Sequence, residues 1–101
     1  MKVVALVSDL MDRSRITSSL DGVEFARDAD ACAGAEVVIV DLARHGASVA
    51  AVRAAAPQAR VVAFGPHVDE ALLDRARRDG ADLVLARSRF FQDPDAAVTS
   101  R

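Results

Sequence analysis

The sequence predicts an α/β fold with a parallel sheet of five strands, and three observations lead to this prediction. Strand-like runs alternate with helix-like segments along the chain, and the connections between them are short. Three of the runs are almost continuously apolar, as is typical of parallel strands that are covered on both faces. These runs are EVVIV (36–40), RVVAF (60–64) and DLVLA (82–86). Parallel strands joined in this way form right-handed crossovers.

The composition fits one domain and narrows the classes of function. The chain has 101 residues, 51% of them hydrophobic, so we expect one domain over residues 1–101 with its own core. The net charge is −2 and the charges are interspersed, so we expect no nucleic-acid partner. The apolar runs are too short to cross a bilayer, and we expect neither a membrane partner nor a signal peptide. Cys32 is the only cysteine, which fits a reducing cytoplasm.

The other two strands are predicted from KVVALV (2–7) and GVEFAR (22–27). The first is apolar, whereas the second alternates between apolar and polar residues, as an edge strand does. Between strands two and three only DADACAGA (28–35) remains, which leaves room for about two helical turns at most. We therefore expect the helix after strand two to be short.

The remaining segments predict helices with recognisable ends. One face of the first helix is predicted to carry three apolar side chains, Leu10, Ile16 and Leu20. SVAAVRAAAP (48–57) predicts a short helix after strand three, with Ser48 as its N-cap. DEALLDRARRDG (69–80) has acids in its first turn, arginines in its last turn and Gly80 as its stop, which predicts a helix after strand four.

Five strands favour a flavodoxin-like, three-layer arrangement in the order 2-1-3-4-5. In that order ligands lie beyond the carboxyl ends of strands one and three. Several polar or glycine residues follow the strands at this edge: Ser8 and Asp9, Asp41, Gly65 and His67, and Arg87. The sequence therefore predicts that two acids and an arginine converge on one crevice, whereas His45 and His67 are expected to face solvent.

These residues resemble the receiver domain of bacterial two-component response regulators, over residues 3 to about 90. That family has an acid pair after strand one and a phosphoaccepting Asp after strand three. VVIVDLARHG (37–46) matches the phosphoacceptor stretch, so the resemblance implies that Asp41 is the acceptor position. LVSDL (6–10) matches the acid pair, with Asp9 as the second acid and Ser8 in place of the first.

The last third, VVAFGPHVDEALLDRARRDGADLVLARS (61–88), also resembles the family but departs from it at its functional positions. Gly65 stands at the Ser or Thr position that contacts the phosphoryl group, and Arg87 stands at the Lys position. Ser88 replaces the Pro that follows this Lys, and Val84 replaces the switch aromatic. The helices after strands two and three are also shorter than those of the family.

These departures weaken the chemistry that the resemblance implies. Phosphoryl transfer to Asp41 would need Mg²⁺, with Asp9 and Asp41 as its ligands, and Ser8 removes one charge from that set. Loss of a hydrogen bond to a charged group at position 65 costs roughly 1.5–3 kcal/mol of any phosphorylation-driven shift. Arg87 is expected to pair bidentately with Asp41 or Asp9, and its guanidinium would then be a permanent cation in the crevice that imitates the bound metal.

We therefore interpret the chain as a degenerate receiver-like signalling or protein-interaction module that works without phosphorylation and needs no cofactor. It has no G-x-G-x-x-G motif and no nucleophile–base set, so no enzyme activity beyond phosphoryl acceptance is expected. Two alternatives stay open. One is a phosphorelay receiver phosphorylated on Asp41 by a histidine kinase with Mg²⁺, and the other is a small-molecule sensor that uses the same crevice.

The end of the chain predicts a truncated or missing fifth helix. In QDPDAAVTSR (92–101), Asp93 can cap a helix and Pro94 suits its first position. About two turns cannot cover the sheet face built from the apolar strands. We therefore expect a homodimer or another signalling protein to cover that face, with Phe90 or Phe91 at the interface.

Overall fold

The computed structural model describes residues 1–99. Five parallel strands form one sheet in the order β2-β1-β3-β4-β5, so the predicted order is confirmed. The strands are β1 (Val3–Leu6), β2 (Glu24–Phe25), β3 (Val37–Asp41), β4 (Arg60–Gly65) and β5 (Leu83–Ala86). As predicted, β2 is a short edge strand, and β1, β3 and β4 lie inside the sheet.

Helices cover both faces of the sheet and complete the three layers. They are α1 (Leu10–Ser19), α2 (Leu42–His45), α3 (Val49–Ala55), α4 (Glu70–Arg78), α5 (Arg87–Gln92) and α6 (Pro94–Thr99). The connection between β2 and β3 holds one 3₁₀ turn, Asp30–Cys32, so the helix expected there is short, as predicted. The segment after β3 is divided into two helices, α2 and α3, so each of them is short.

The core consists of two apolar clusters, because successive side chains of a strand point to opposite faces. Val4 and Leu6 of β1 pack with residues of α3 and α4, whereas Val3 and Ala5 pack with residues of α1, α5 and α6. Every residue of β1 and β3 is buried, as continuous apolar runs predict for central parallel strands. The sheet therefore gives a rigid edge from which the loops of the crevice start.

The prediction that Leu10, Ile16 and Leu20 share an apolar face of α1 is wrong for Leu10. Ile16 and Leu20 are buried, but the side chain of Leu10 is 78% exposed. Six residues separate Leu10 from Ile16, which is a rotation of about 240° around the helix. The residue one turn before Ile16 is Asp12, and this acid is buried in its place. The helix thus directs a carboxylate towards the sheet.

Aspartates cap the ends of several helices. Asp9, Asp41 and Asp69 each accept a hydrogen bond from a backbone N–H in the first turn of α1, α2 and α4. Ser48 precedes α3 as predicted, but its side chain forms no capping hydrogen bond. After α4, Gly80 has a φ of 117°, a conformation that favours glycine. The predicted stop at Gly80 is therefore confirmed.

The last helix begins as predicted, with Asp93 accepting a hydrogen bond from the N–H of Ala96 at 3.1 Å and Pro94 in the first position. The uncovered face that we expected is absent from the described residues. Val3 and Val37 are buried, and Val98 of α6 packs on the same cluster. The prediction extended this helix to Ser100 and Arg101, which lie outside the described residues.

Of the two residues predicted at an interface, Phe90 is excluded, because it is fully buried in the described chain. Its ring stacks on that of Phe64 with centroids 4.7 Å apart. Phe91 is half-buried and contacts both rings edge-on. The α5 helix therefore supplies apolar cover that the sequence-based prediction had assigned to a partner. None of the helices within residues 1–99 is long and apolar enough to span a membrane.

Arg53 of α3 holds the opposite, amino-terminal edge of the sheet. Its guanidinium donates to the carbonyls of Gly80 at 2.9 Å and Ala59 at 2.8 Å, and to the carboxylate of Asp82 at 2.6 Å. The same oxygen of Asp82 accepts the N–H of Val61 at 2.8 Å. One arginine therefore joins α3 to the starts of β4 and β5.

Candidate functional site

Asp9 and Asp41 lie at the carboxyl edge of the sheet, where β1 and β3 end. Asp9 Oδ1 accepts the N–H of Asp12 at 3.0 Å, and Asp41 Oδ1 accepts the N–H of Ala43 at 3.1 Å. The hydrogen bond from Asp12 lowers the pKa of Asp9, because it favours the charged carboxylate. Both acids therefore act as helix caps at the crevice.

The surroundings of Asp41 differ from those of Asp9. Asp41 is 3% exposed, and burial raises its pKa because the charged form loses water. The hydrogen bond from Ala43 opposes this rise, whereas the charge of Asp12 adds to it. Arg87 and His45 lower the pKa by smaller amounts. The net effect is a carboxyl whose charged form is disfavoured by its site.

Arg87 enters the crevice from the start of α5, but its partner is not the one predicted. Its guanidinium donates to both carboxylate oxygens of Asp12, with Nη1 and Oδ2 2.8 Å apart and Nη2 against Oδ1. Asp12 is 2% exposed, and its carboxylate raises the pKa of Arg87. The expected bidentate pair is therefore present, while the expected partners, Asp9 and Asp41, contribute only through their charges.

The sequence reasoning missed Asp12, although a signal for it was present. Asp12 is one helical turn before Ile16, a position that faces the sheet in an amphipathic helix. Burial of an acid at such a position requires a cation nearby. Arg87 is the cation that the fold brings there, across 75 residues of sequence.

Ser8 and His45 join the ends of β1 and α2. Ser8 Oγ and His45 Nε2 are 2.7 Å apart, which is a hydrogen bond. His45 is half-exposed, so the expectation that it faces solvent without a partner is wrong. His67 is exposed, as expected. Ser8, which stands where the family has an acid, is thus engaged with a neighbouring loop.

Gly65 ends β4 and packs against apolar side chains. A Cβ atom built on Gly65 would lie 3.3 Å from Leu42 Cβ and 3.3 Å from Leu73 Cδ2. Leu42 is the residue that directly follows Asp41 and is buried. A Ser or Thr side chain here would therefore crowd Leu42 and Leu73, which would have to shift by a few tenths of an ångström.

Val84 pairs with Ala63 in the register of β4 and β5 and is half-buried against the cluster that includes α4. Within residues 1–99 no group of three or more His, Cys, Asp and Glu side chains could hold a metal ion. The carboxylates available at this edge are those of Asp9 and Asp41, because Asp12 is bound by Arg87.

Comparison with known proteins gives structural neighbours alone. No family model matches the sequence, and no curated protein matches it. A response regulator from Burkholderia pseudomallei, solved with a phosphorylated aspartic acid, a calcium ion and citrate, superposes with a TM-score of 0.80. It is 20% identical, and the match covers 99% of this chain and 68% of that chain. The chain has the receiver fold.

Other receiver-fold structures give the same result. A CheY-like protein, TadZ, from Pseudomonas aeruginosa is 24% identical with a TM-score of 0.70, and the match covers 87% of each chain. A putative CpaE2 pilus assembly protein from Sinorhizobium meliloti is 16% identical with a TM-score of 0.62, covering 91% of this chain and 95% of that chain. The receiver fold explains why the ends of β1, β3, β4 and β5 meet at one crevice.

Proposed function

We propose that the chain is a degenerate receiver-like module that acts in signalling or protein interaction without phosphorylation. The observation that carries this proposal is the bidentate pair between Arg87 and buried Asp12. By the resemblance to receivers, Arg87 stands where a Lys would neutralise the phosphoryl group. A guanidinium that is already bound by a carboxylate is held in place at all times, and this favours one fixed conformation.

The packing around Gly65 supports the same proposal. A phosphorylation response in the family relies on a hydroxyl at this position, whereas here Gly65 has none and a Cβ would crowd Leu42 and Leu73. Val84, at the switch position, is a half-buried β-branched residue packed against the core, and it lacks an aromatic ring that could change orientation. A phosphoryl group on Asp41 would therefore lack both the contact and the mobile side chain that transmit the signal.

The acids fit a tightly held Mg²⁺ poorly. Hard cations prefer several oxygen ligands, and carboxylates from two residues are a small set. One oxygen of Asp9 and one of Asp41 already accept backbone N–H groups, and Ser8 is bonded to His45. The proposed function requires no cofactor, and a metal bound here would be weakly held.

The exposed side chains of Leu10 and Met11 support a contact surface beside the crevice. They are 78% and 76% exposed in the first turn of α1. We propose that a second copy of the chain or another signalling protein contacts this surface. If the chain forms a homodimer, Leu10→Glu should dissociate it in sedimentation velocity, whereas Val68→Glu, at a residue that is also 78% exposed, should not.

The alternative is a working receiver in which Asp41 accepts a phosphoryl group from a histidine kinase with Mg²⁺. The observation that favours it is the position of Asp41 at the end of β3, in a fold shared with a neighbour that was solved with a phosphorylated aspartic acid. Asp9 lies at the end of β1 in the same crevice.

Incubation with acetyl phosphate and Mg²⁺, followed by intact-mass spectrometry, separates the two functions. The proposed module should gain no stoichiometric phosphoryl adduct. A stoichiometric adduct that is absent from Asp41→Asn would support the working receiver instead. The Asp9→Asn variant serves as a further control, because loss of the adduct there would indicate that the metal ligands act.

A further inference from the structure

A pocket outside the crevice brings two arginines together. It has a volume of about 400 Å³ and is lined by Arg15, Arg87, Ser88, Phe91 and Gln92. Its lining residues come from α1 and from α5, so the pocket lies between these two helices. Neither Asp9 nor Asp41 lines it.

Phe91 orients both guanidinium groups. Arg15 Cζ is 4.2 Å and Arg87 Cζ is 4.9 Å from the centroid of its ring. The ring is itself held by edge-on contacts with Phe64 at 5.1 Å and Phe90 at 5.0 Å. Arginines stacked on an anchored aromatic ring lose little further freedom when they bind a ligand.

The charge of the pocket is only partly balanced. Asp12 pairs with Arg87, whereas Arg15 forms no ion pair with any residue of the described range 1–99. A guanidinium has five N–H donors, and two of those of Arg87 are used on Asp12. Ser88 and Gln92 are exposed and add neutral donors at the same place.

We propose that this pocket binds a small molecule through a phosphate or carboxylate group, with Arg15 and Arg87 as the charged contacts. Arginine forms planar, bidentate hydrogen bonds with both kinds of anion. An anion bound here shares Arg87 with Asp12, so its binding is coupled to the ion pair that holds α1 to α5. Asp41 does not line the pocket, so anion binding there requires no phosphoryl transfer.

Two-dimensional NMR of the ¹⁵N-labelled chain tests the pocket, with inorganic phosphate and then succinate as probes at constant ionic strength. We expect saturable shifts of the Arg15 and Arg87 Nε–H signals and of the Ser88 amide with at least one probe, and the tighter probe assigns the anion class. Arg15→Gln should weaken binding about tenfold or more. The side chain of Arg15 is exposed and makes no hydrogen bond within residues 1–99, so the variant should keep its fold.

Arg78→Gln is the matched control, because it removes the same charge from an exposed arginine of α4. This variant should bind the probe as the native chain does. Shifts that rise without saturation for both probes would overturn the proposal. It would also be overturned if Arg15→Gln bound as well as the native chain, or if Arg78→Gln weakened binding equally. None of these outcomes requires a phosphoryl group on Asp41.

Discussion

At the residue scale, the buried carboxylate of Asp12 depends on the guanidinium of Arg87. Arg87→Ala removes the cation and leaves a charge that is 2% exposed without its partner. Breaking a fully buried pair costs about 3–5 kcal/mol, but Arg87 is 44% exposed, so water replaces part of the interaction. We expect a loss of about 2–3 kcal/mol in the free energy of unfolding, measured by urea denaturation.

The double variant Asp12→Asn/Arg87→Ala is the control for this pair. It should be more stable than Arg87→Ala alone, because no buried charge remains unpaired. If Arg87→Ala lost little stability, or if the double variant were less stable than the single one, the pair would not be holding α1 to α5.

Asp41 gives a prediction about pH. Burial raises its pKa, so the folded chain binds this proton more tightly than the unfolded chain does. Its contribution to stability therefore falls as the pH rises from the ordinary carboxyl value of about 3.9 through the raised value. The Asp41→Asn side chain does not ionise, so the variant lacks this loss of stability with rising pH. Its amide oxygen can still accept a hydrogen bond from the N–H of Ala43. We expect the variant to be more stable at neutral pH, by on the order of 1 kcal/mol.

Urea denaturation at several pH values checks this sign. The stability difference between Asp41→Asn and the native chain should grow from acidic to neutral pH. A difference that stays constant, or that favours the native chain at neutral pH, would mean that the charged form of Asp41 is well stabilised in the fold.

At the scale of the elements, Arg53 joins α3 to the starts of β4 and β5. Arg53→Ala leaves the carbonyls of Gly80 and Ala59 without this donor and removes the ion pair with Asp82. We expect a loss of about 2–4 kcal/mol in the free energy of unfolding. Arg75→Ala is the control, because its contact with Asp79 is exposed and is worth about 0–1 kcal/mol. Equal losses for both variants would contradict the role of Arg53.

The end of β4 gives a further prediction. Gly65→Thr places a Cβ 3.3 Å from Leu42 and Leu73 and adds two more heavy atoms. Overpacking of this kind costs about 1–3 kcal/mol, so the variant should be less stable in urea denaturation.

The neighbours of Gly65 provide the control for that prediction. In a Leu73→Ala background, Gly65→Thr should cost less than it does in the native chain, because the crowding side chain is shortened. Equal costs in the two backgrounds would show that Leu73 is not what fills the space.

Most of the strands and helix boundaries could be predicted from the sequence, and the exceptions have physical causes. Continuous apolar runs identified β1, β3 and β4, and Asp93 and Gly80 marked real helix boundaries. The clamp by Arg53 could not be predicted, because most of its partners are backbone carbonyls and those carry no sequence signal. Serine is a preferred N-cap residue, but the side chain of Ser48 forms no capping hydrogen bond. The preference for a residue type does not by itself fix the orientation of the side chain.

At the scale of the whole molecule, the sheet order followed from strand number and connection length, and it brought Asp9, Asp41 and Arg87 to one edge as predicted. The pairing within that edge did not follow, because it depends on the rotation of α1, which turns Asp12 inwards and Leu10 outwards. The burial of Phe90 was also not predicted, because the helix after β5 was expected to begin near Asp93 and not at Arg87.

The central claim is that the crevice holds one conformation that does not depend on phosphorylation. Beryllofluoride with Mg²⁺ imitates a phosphoryl group on a carboxylate, so its effect on the two-dimensional ¹⁵N spectrum tests this claim most directly. We predict that the amide signals of β4, β5 and α4 stay in place in the native chain, as they do in Asp41→Asn. Widespread shifts in those elements that saturate with beryllofluoride in the native chain, and that vanish in Asp41→Asn, would contradict the claim.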